Sequence, residues 1–265
     1  MNSPNPNSPF YTVVGLGPLK TEYPYPSGRK WAGLIFGLIC LFASPMLLLL
    51  AAYLGYDAYN RFGIRRVDDE VIVPLVFAGI AFLVGALLVF NAWRNWSVAA
   101  ALYENGFAYN DRKGLRQVRW DQIQAVWQSI TKHYRNGIYV GTTHVYTVQT
   151  NDGQKIVLDD KFKKVEDLGN AVLKGSSNAL WPKYWQMAQS GQRITFGPLA
   201  LDTQGMYTGK KSLLWSDIKA VKIQSGTISV SKKEGGWFAW TTASVPQIPN
   251  FYIFYELVGK FAKIE

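Results

Sequence analysis

The chain has 265 residues, and 48% of them are hydrophobic, which fits one large domain or two small ones. Its formal net charge is +10, and most of the excess follows residue 97, where 21 lysines and arginines outnumber 13 aspartates and glutamates. The single cysteine, Cys40, excludes a disulfide within the chain and a zinc site built from cysteines.

The first 30 residues are polar and rich in proline. Proline removes backbone donors and disfavours helix, so residues 1–30 are predicted to form a flexible or polyproline-like tail.

Two long uncharged apolar runs follow, at residues 31–54 and 71–93. A helix needs about 20 apolar residues to cross a hydrocarbon core of about 30 Å, so each run is predicted to be a transmembrane helix. Residues 55–70 are predicted to form the connecting loop. Aromatic rings favour the membrane interface, and the aromatic residues at the run ends are Trp31, Tyr53, Tyr56, Trp93 and Trp96.

Two spans place both termini on the same side of a membrane. The tail and the connecting loop carry three basic residues each, and Arg94 with the basic residues after it adds to the tail side. The positive-inside rule therefore predicts a cell-membrane protein with two spans and both termini cytoplasmic. Neither span contains an ionisable residue of the kind that lines ion or proton pathways, so the helices are interpreted as an anchor.

From residue 97 onward, short stretches rich in β-branched and aromatic residues predict strands separated by turn signals such as Asn151-Asp152-Gly153. Apolar residues at helical spacing predict one helix near residues 162–172, a short second helix at 178–189 and a third after Asn250, which is predicted to cap it. The predicted fold class is an α-helical transmembrane hairpin plus a β-rich α+β soluble region.

A pattern occurs twice in this region: a glycine turn, a basic polar stretch, and then Trp-x-x-Ile-x-Ala-Val. Each copy ends in an amphipathic helix, so the repeat predicts two small β domains at residues 97–175 and 192–265, with a linker helix at 176–191. Small sheets need a covered face to be stable. The predicted core residues are Trp120, Ile123, Trp215, Ile218, Phe251 and Phe254.

The glycine turn, the tryptophan pattern and the terminal helix resemble those of bacterial pleckstrin-homology-like (PH-like) domains. More closely, the segments Arg135–Tyr146 and Ile248–Phe251 resemble an uncharacterised bacterial membrane protein family with two N-terminal transmembrane helices and tandem PH-like domains. The resemblance covers residues 97–263 and implies two PH-like β domains, each closed by a C-terminal helix. It lends no catalytic residues. Neither copy has the dense Lys/Arg pattern of the phosphoinositide-binding loop in eukaryotic PH domains.

The sequence contains no glycine-rich phosphate loop, zinc motif or nucleophile elbow. The carboxylate pair Asp159-Asp160 is interpreted as a helix cap, and His133 and His144 lack a neighbour in sequence that would form a nucleophile–base pair. We therefore expect no enzymatic activity, no cofactor, no metal and no small-molecule substrate.

The basic excess indicates an anionic partner. A domain tethered to a bilayer meets lipid headgroups first, so these are favoured over nucleic acid. The alternative interpretation is that lysines keep a β-rich surface soluble and protect strand edges. The candidate headgroup-binding residues are Arg112, Lys113, Arg116, Arg119, Lys210 and Lys211.

Together these features predict a membrane-anchored, non-catalytic interaction module that presents tandem PH-like domains at the cytoplasmic face. It would bind protein partners, a second copy of itself or anionic headgroups. The alternative is an auxiliary subunit or sensor of a larger membrane complex, in which the proline-rich tail or residues 57–70 receive the signal.

Overall fold

The computed structural model describes residues 8–209, 211–234 and 239–265. The chain divides into two units. The helical unit comprises Pro24–Ala99 and Asn110–Gly114, and the β-rich unit contains the other described residues.

The helical unit is built from two long antiparallel helices, α1 (Ser27–Phe62) and α2 (Val67–Arg94). At 1.5 Å per residue they are about 54 Å and about 42 Å long. Both are long and apolar enough to cross a membrane, and the prediction of two apolar helices is confirmed at that level.

The two helices pack through small side chains. The buried small residues recur at seven-residue intervals, namely Gly37, Ser44, Ala51 and Ala58 on α1 and Ala78, Gly85 and Ala92 on α2. A Cβ atom on Gly85 would lie 2.8 Å from the carbonyl oxygen of Gly37. Such close backbone approach is typical of helix pairs in membranes, and a repeat of seven is that of left-handed packing.

The predicted connecting loop at residues 55–70 is wrong. Helix α1 continues to Phe62, a 3₁₀ turn spans Ile64–Arg66, and α2 begins at Val67. The charged residues after the first apolar run remain in the helix, where Arg61 Nε lies 2.9 Å from Asp57 Oδ1 in a pair that adds a little to helix stability. Charge therefore marks the end of the apolar run and not the end of the helix.

The β-rich unit contains two successive repeats. The four-stranded sheet of the first repeat contains, in spatial order, β1 (Leu19–Pro24), β2 (Ala99–Tyr103), β3 (Gly106–Asp111) and β4 (Gly114–Arg119). Its three-stranded antiparallel sheet contains β5 (Ile123–Arg135), β6 (Ile138–Thr150) and β7 (Lys155–Asp159). Helix α3 (Val165–Gln189) closes the repeat.

The second repeat has the same order of elements. Its four-stranded sheet contains β8 (Ile194–Phe196), β9 (Leu199–Leu201), β10 (Gly205–Thr208) and β11 (Lys211–Leu214). Its three-stranded sheet contains β12 (Ile218–Gln224), β13 (Thr227–Lys232) and β14 (Thr241–Ser244), and α4 (Phe251–Phe261) follows. A β-rich α+β region after the two apolar helices is therefore confirmed.

The repeated sequence pattern has the same structural role in both copies. Trp120 and Trp215 each open a 3₁₀ turn and donate the indole N–H to a backbone carbonyl in the preceding glycine turn, at 2.9 and 2.8 Å. A Cβ atom on Gly106 or Gly205 would overlap a carbonyl oxygen of the facing strand. Glycine is required at both turns because the two strands approach so closely there.

The prediction of a flexible tail at residues 1–30 is wrong for the described part, which begins at Ser8. Strand β1 belongs to the first sheet, Phe10 and Leu16 are buried, and the Asn105 backbone N–H donates to the Leu16 carbonyl at 2.9 Å. The alternation of Leu19–Pro24 was the available signal, but its partner strand is some 75 residues further along the chain. Residues 1–7 lie outside the described residues.

The helical hairpin is consequently inserted between the first and second strands of the first repeat. The second repeat joins the equivalent strands, β8 and β9, with only Gly197 and Pro198 between them. Gly197 has a φ of 62°, which suits the left-handed backbone of this tight turn.

The predicted linker helix at residues 176–191 is not a separate element, because α3 runs unbroken from Val165 to Gln189. Two glycines lie inside it where aromatic rings of the first repeat approach. A Cβ atom on Gly175 would lie 2.6 Å from Trp120 Cε2, and one on Gly169 would overlap the Tyr146 ring. These glycines make room for rings and do not interrupt the helix.

The residues proposed for the core divide into two groups. Ile123, Ile218 and Phe254 are buried. Trp120, Trp215 and Phe251 are half-buried at the margins of the packed interior. Trp215 stacks on Phe261 with ring centroids 5.0 Å apart, while Trp120 stacks on Phe107 at 6.1 Å.

Candidate membrane-interface site

Three segments of the helical unit meet at one end of the helix pair. They are the start of α1, the residues that follow α2, and the β3–β4 turn at Asn110–Gly114. The Asn110 side-chain amide donates to the Ser97 carbonyl at 2.7 Å, and the Tyr25 backbone N–H donates to the Val98 carbonyl at 3.2 Å. These bonds bring basic residues that are distant in sequence close together.

Lys30 joins the start of α1 to the end of α2. Its ammonium group donates to the Trp96 carbonyl at 2.6 Å and lies 5.8 Å from the ring centroids of both Tyr25 and Trp96. Trp31 packs edge-on against Trp96 at 5.6 Å between centroids. The lysine is held by a carbonyl and two aromatic faces, which attract a cation through their ring quadrupoles.

Arg112 makes the matching contact from the β3–β4 turn. Its guanidinium carbon lies 4.1 Å from the centroid of the exposed Trp93 ring. The adjacent Lys113 is exposed, and its backbone N–H is held by the Asp111 carboxylate at 2.8 Å. We call Tyr25, Lys30, Trp31, Trp93, Trp96 and Arg112 the basic collar.

The two ends of the helical unit differ in charge. The collar end carries five basic residues and one acidic residue, namely Arg29, Lys30, Arg94, Arg112, Lys113 and Asp111. The end around Gly63 carries three basic residues and four acidic ones, namely Arg61, Arg65, Arg66, Asp57, Asp68, Asp69 and Glu70. Only the collar end is therefore suited to an anionic surface.

Two of the residues proposed to bind headgroups, Arg112 and Lys113, lie together on the β3–β4 turn of the helical unit. Arg119 forms a two-pronged ion pair with Asp121 at 2.9 and 3.1 Å, which neutralises it. Arg116 lies half-buried on β4, with its guanidinium over the Tyr109 ring at 5.0 Å. Lys211 is exposed on β11 in the second repeat, and Lys210 lies outside the described residues.

The comparison with protein families covers both units. The family model described as "Family of unknown function (DUF6585)" matches residues 11–264. The chain belongs to DUF6585. No curated protein matches it. The match includes β1, the inserted helices and both repeats, so in this member of DUF6585 the apolar helices and the β-rich region are parts of one family unit.

The two histidines of this DUF6585 member have polar neighbours that sequence spacing did not reveal. His144 lies on β6 with Nδ1 3.7 Å from Asp160 and Nε2 3.7 Å from Glu166. His133 Nε2 lies 2.7 Å from Thr143 Oγ1 on the neighbouring strand. Within the described ranges, no cluster of three His, Cys, Asp or Glu side chains is arranged to hold a metal ion.

Two buried tyrosines have strongly raised pKa values. Burial, with a smaller contribution from Glu22, raises the pKa of Tyr103 to about 12, and its hydroxyl donates to the Phe10 carbonyl at 3.2 Å. Burial, reinforced by Glu166, likewise raises the pKa of Tyr146 to about 12. Both phenols are therefore neutral at physiological pH and pack as core side chains.

Asp202 is the buried carboxylate of the second repeat. Burial alone would raise its pKa, but hydrogen bonds from the Gln204 and Gly205 backbone and the Tyr207 hydroxyl outweigh burial and lower it. Arg193 Nε, 3.5 Å away, lowers the pKa further. The carboxylate holds the β9–β10 turn in shape, which is a structural role.

Proposed function

We propose that the protein is a membrane-anchored, non-catalytic interaction module whose basic collar binds anionic lipid headgroups at the cytoplasmic leaflet. Its two repeats would be PH-like domains carried by a two-helix anchor. The observation that carries the proposal is the collar itself, in which Lys30 and Arg112 are held over tryptophan rings at the basic end of two apolar helices.

The helices support the membrane assignment through what they expose. Large apolar side chains such as Phe42, Met46 and Leu49 on α1 are each more than two-thirds exposed, at 71, 71 and 72%. Soluble monomers rarely leave so large a contiguous apolar surface in water. Hydrocarbon is the solvent in which this surface and the charge-free spans are stable.

The order of strands supports the PH-like assignment. Each repeat has a four-stranded sheet, a three-stranded antiparallel sheet and a C-terminal helix in the same sequence order. This agrees with the resemblance carried by the repeated tryptophan pattern. The insertion of the anchor between β1 and β2 accounts for the six-residue strand that precedes the first span.

The collar supports headgroup binding because its chemistry matches the interface. Tryptophan and tyrosine rings favour the headgroup level, and each basic residue near an anionic leaflet contributes roughly 1 kcal/mol. The excess of basic residues at this end over the end around Gly63 favours the cytoplasmic side for the collar and for both termini.

Thermal unfolding in detergent tests headgroup binding. The full-length protein should gain stability from added phosphatidylglycerol but not from phosphatidylcholine, because a ligand that binds only the folded state raises the unfolding temperature. The double variant Arg112→Gln/Lys113→Gln should lose most of that gain. The matched control Lys232→Gln/Lys233→Gln removes the same charge from exposed positions of β13 and its turn and should keep it. Equal gains in both double variants would refute the proposal.

Thiol labelling tests the sidedness separately. In a Cys40→Ser background, Ser216→Cys places one thiol at an exposed position of the second repeat. A membrane-impermeant maleimide should label it only after the cells are lysed. Labelling in intact cells would place the repeats outside.

A further inference from the structure

Strand β5 has an open edge within the β-rich unit. The spatial order β5-β6-β7 leaves one side of β5 without a neighbouring strand. Its ladder with β6 is regular from Val126 to His133. Proteins usually blunt or cover such an edge because its unpaired N–H and C=O groups are a template for another strand.

Asn250 shows which backbone groups of β5 face outward. The Val126 N–H donates to Asn250 Oδ1 at 3.0 Å, and the Asn250 N–H donates to the Val126 carbonyl at 2.8 Å. Strand groups alternate between the two edges, so Gln128, Ile130 and Lys132 point their N–H and C=O groups the same way. In the part of the chain that the structure describes, none of these groups has a hydrogen-bond partner. Asn250 was predicted to cap α4, but its side chain makes no capping bond and pairs with β5 instead.

A groove of about 740 Å³ runs along this open edge. On the side facing β5 it is walled by Ile223, the β12–β13 turn, Val245 and Phe251. The opposite wall is formed by β5 from Gln128 to Tyr134, a length of about 23 Å at the rise of a strand. The β5 wall is therefore as long as an extended segment of about seven residues.

The second repeat shows the equivalent edge occupied. Val221 closes the same Trp-x-x-Ile-x-Ala-Val pattern as Val126, and the chain's own C-terminal residues add to β12 beside it. The Val221 N–H donates to the Lys263 carbonyl at 2.9 Å, the Glu265 N–H donates to the Val221 carbonyl at 3.0 Å, and the bridge to Ile264 is parallel. The second repeat thus extends its sheet with a segment that bonds at both Val221 and Ile223. Among the described residues, the first repeat has only Asn250 at Val126, and its edge is open from Gln128 onward.

We propose that the β5 groove binds an extended, acidic segment of a partner protein by β-strand addition. Lys132 is a basic residue of the described groove lining, and no acidic side chain accompanies it there, which favours a carboxylate on the incoming segment. A second copy of β5 fits poorly because it would bring its own wall of the groove with it. The site is separate from the basic collar and does not depend on headgroup binding.

Fluorescence anisotropy with a fluorescein-labelled peptide, acetyl-Val-Glu-Val-Glu-Val-Glu-Val-amide, tests this on the full-length protein in detergent. We expect saturable binding that weakens when lysine replaces glutamate in the peptide. Ile130→Pro removes one outward N–H without touching the β5–β6 ladder. Binding should weaken by roughly tenfold or more, because about one hydrogen bond and the close fit of the peptide against β5 are lost.

Val157→Pro is the matched control. Val157 lies on β7, the other edge strand of the same sheet. Val157 pairs with Thr147 of β6, and Thr147 pairs with Trp127 of β5 on its other side. Because Thr147 directs its backbone groups towards β5, the Val157 N–H points away from β6. This variant should bind the peptide as the wild type does. On the wild-type protein, a peptide N-methylated on the alternate amides that face β5 should lose binding. A peptide N-methylated on the amides that face away from β5 should keep it.

Three results would overturn the proposal. They are the absence of saturable binding to the wild type, equal binding by the Ile130→Pro and Val157→Pro variants, and equal effects of the two methylation patterns. A wild-type dimer that Ile130→Pro converts to monomers would also overturn it, because the occupant would then be a second copy. Circular dichroism establishes that each variant is folded. The methylated peptides test β-strand addition on the wild-type protein, without any variant.

Discussion

The close approach of the two apolar helices at Gly85 and Gly37 makes the stability of the helical hairpin testable. We expect Gly85→Ala to destabilise the hairpin although it adds only one methyl group. The new Cβ would lie 2.8 Å from the Gly37 carbonyl oxygen and 2.9 Å from the Leu41 backbone nitrogen. Both contacts are with backbone, so no side chain can rotate to relieve them.

Gly79→Ala on the same helix is the matched control. A Cβ atom there would have no atom within 4 Å. The exchange should therefore be neutral or stabilise the helix by up to about 1 kcal/mol, the propensity difference between glycine and alanine. The Gly85 exchange gains the same propensity but pays an overpacking cost of about 1–3 kcal/mol. The two variants should differ by about that amount.

Titration of the purified protein with SDS in mixed micelles measures this difference, with helix separation followed by energy transfer between labels on α1 and α2. Gly85→Ala should unfold at a lower SDS fraction than Gly79→Ala. The double variant Gly37→Ala/Gly85→Ala should cost less than the sum of the single changes, since helices already pushed apart have room for the second methyl group. Equal midpoints for the Gly85 and Gly79 variants would show that the glycine contact does not hold the hairpin.

Two further predictions concern the β-rich unit. Because hydrogen bonds outweigh burial and lower the pKa of Asp202, the carboxylate stabilises the fold above the unfolded-state pKa, and this contribution is lost as pH falls through the lower folded-state pKa. Asp202→Asn should reduce the unfolding free energy at pH 7 by about 1–3 kcal/mol. It should also make urea-unfolding midpoints less sensitive to acid below about pH 4. A variant with wild-type stability and acid dependence would contradict this role. Replacing residues 26–97 with Asn-Gly should give a folded β-rich protein that needs no detergent, because Tyr25 and Val98 already pair as across a hairpin turn. Aggregation or loss of the β-type circular dichroism spectrum would argue against the helices being an insertion.

The parts of the fold that sequence could predict depend on local patterns. Apolar runs predicted the two helices, and the recurrence of Trp120 and Trp215 in one pattern predicted a duplication. The predictions that were wrong depend on distant contacts. Strand β1 pairs with a strand beyond the whole helical hairpin, and nothing in its six residues indicates that partner. Gly175 lies inside a helix because the Trp120 ring occupies the space that a Cβ atom would need.

The site shows the same division. Arg112 and Lys113 were identified as candidates from charge alone, together with Arg119, which the structure neutralises through Asp121. Charge counting could not distinguish these residues, because an arginine can bind a partner only if no neighbouring carboxylate already pairs with it. Lys30, whose ammonium group donates to the Trp96 carbonyl in the collar, was counted for sidedness but not proposed as a binding residue.

The basic collar exists because of where the two apolar helices are inserted in the fold. Placing the helices between β1 and β2 makes the residues before α1 and after α2 neighbours, as strand pairing between Tyr25 and Val98 requires. Lys30 and Trp96, 66 positions apart, are joined as a consequence. The β3–β4 turn then adds Arg112 over Trp93. Apolar helices attached in front of a complete domain would supply hydrophobic length alone, whereas helices inserted into a hairpin also bring three chain segments together in one cluster of cationic and aromatic side chains.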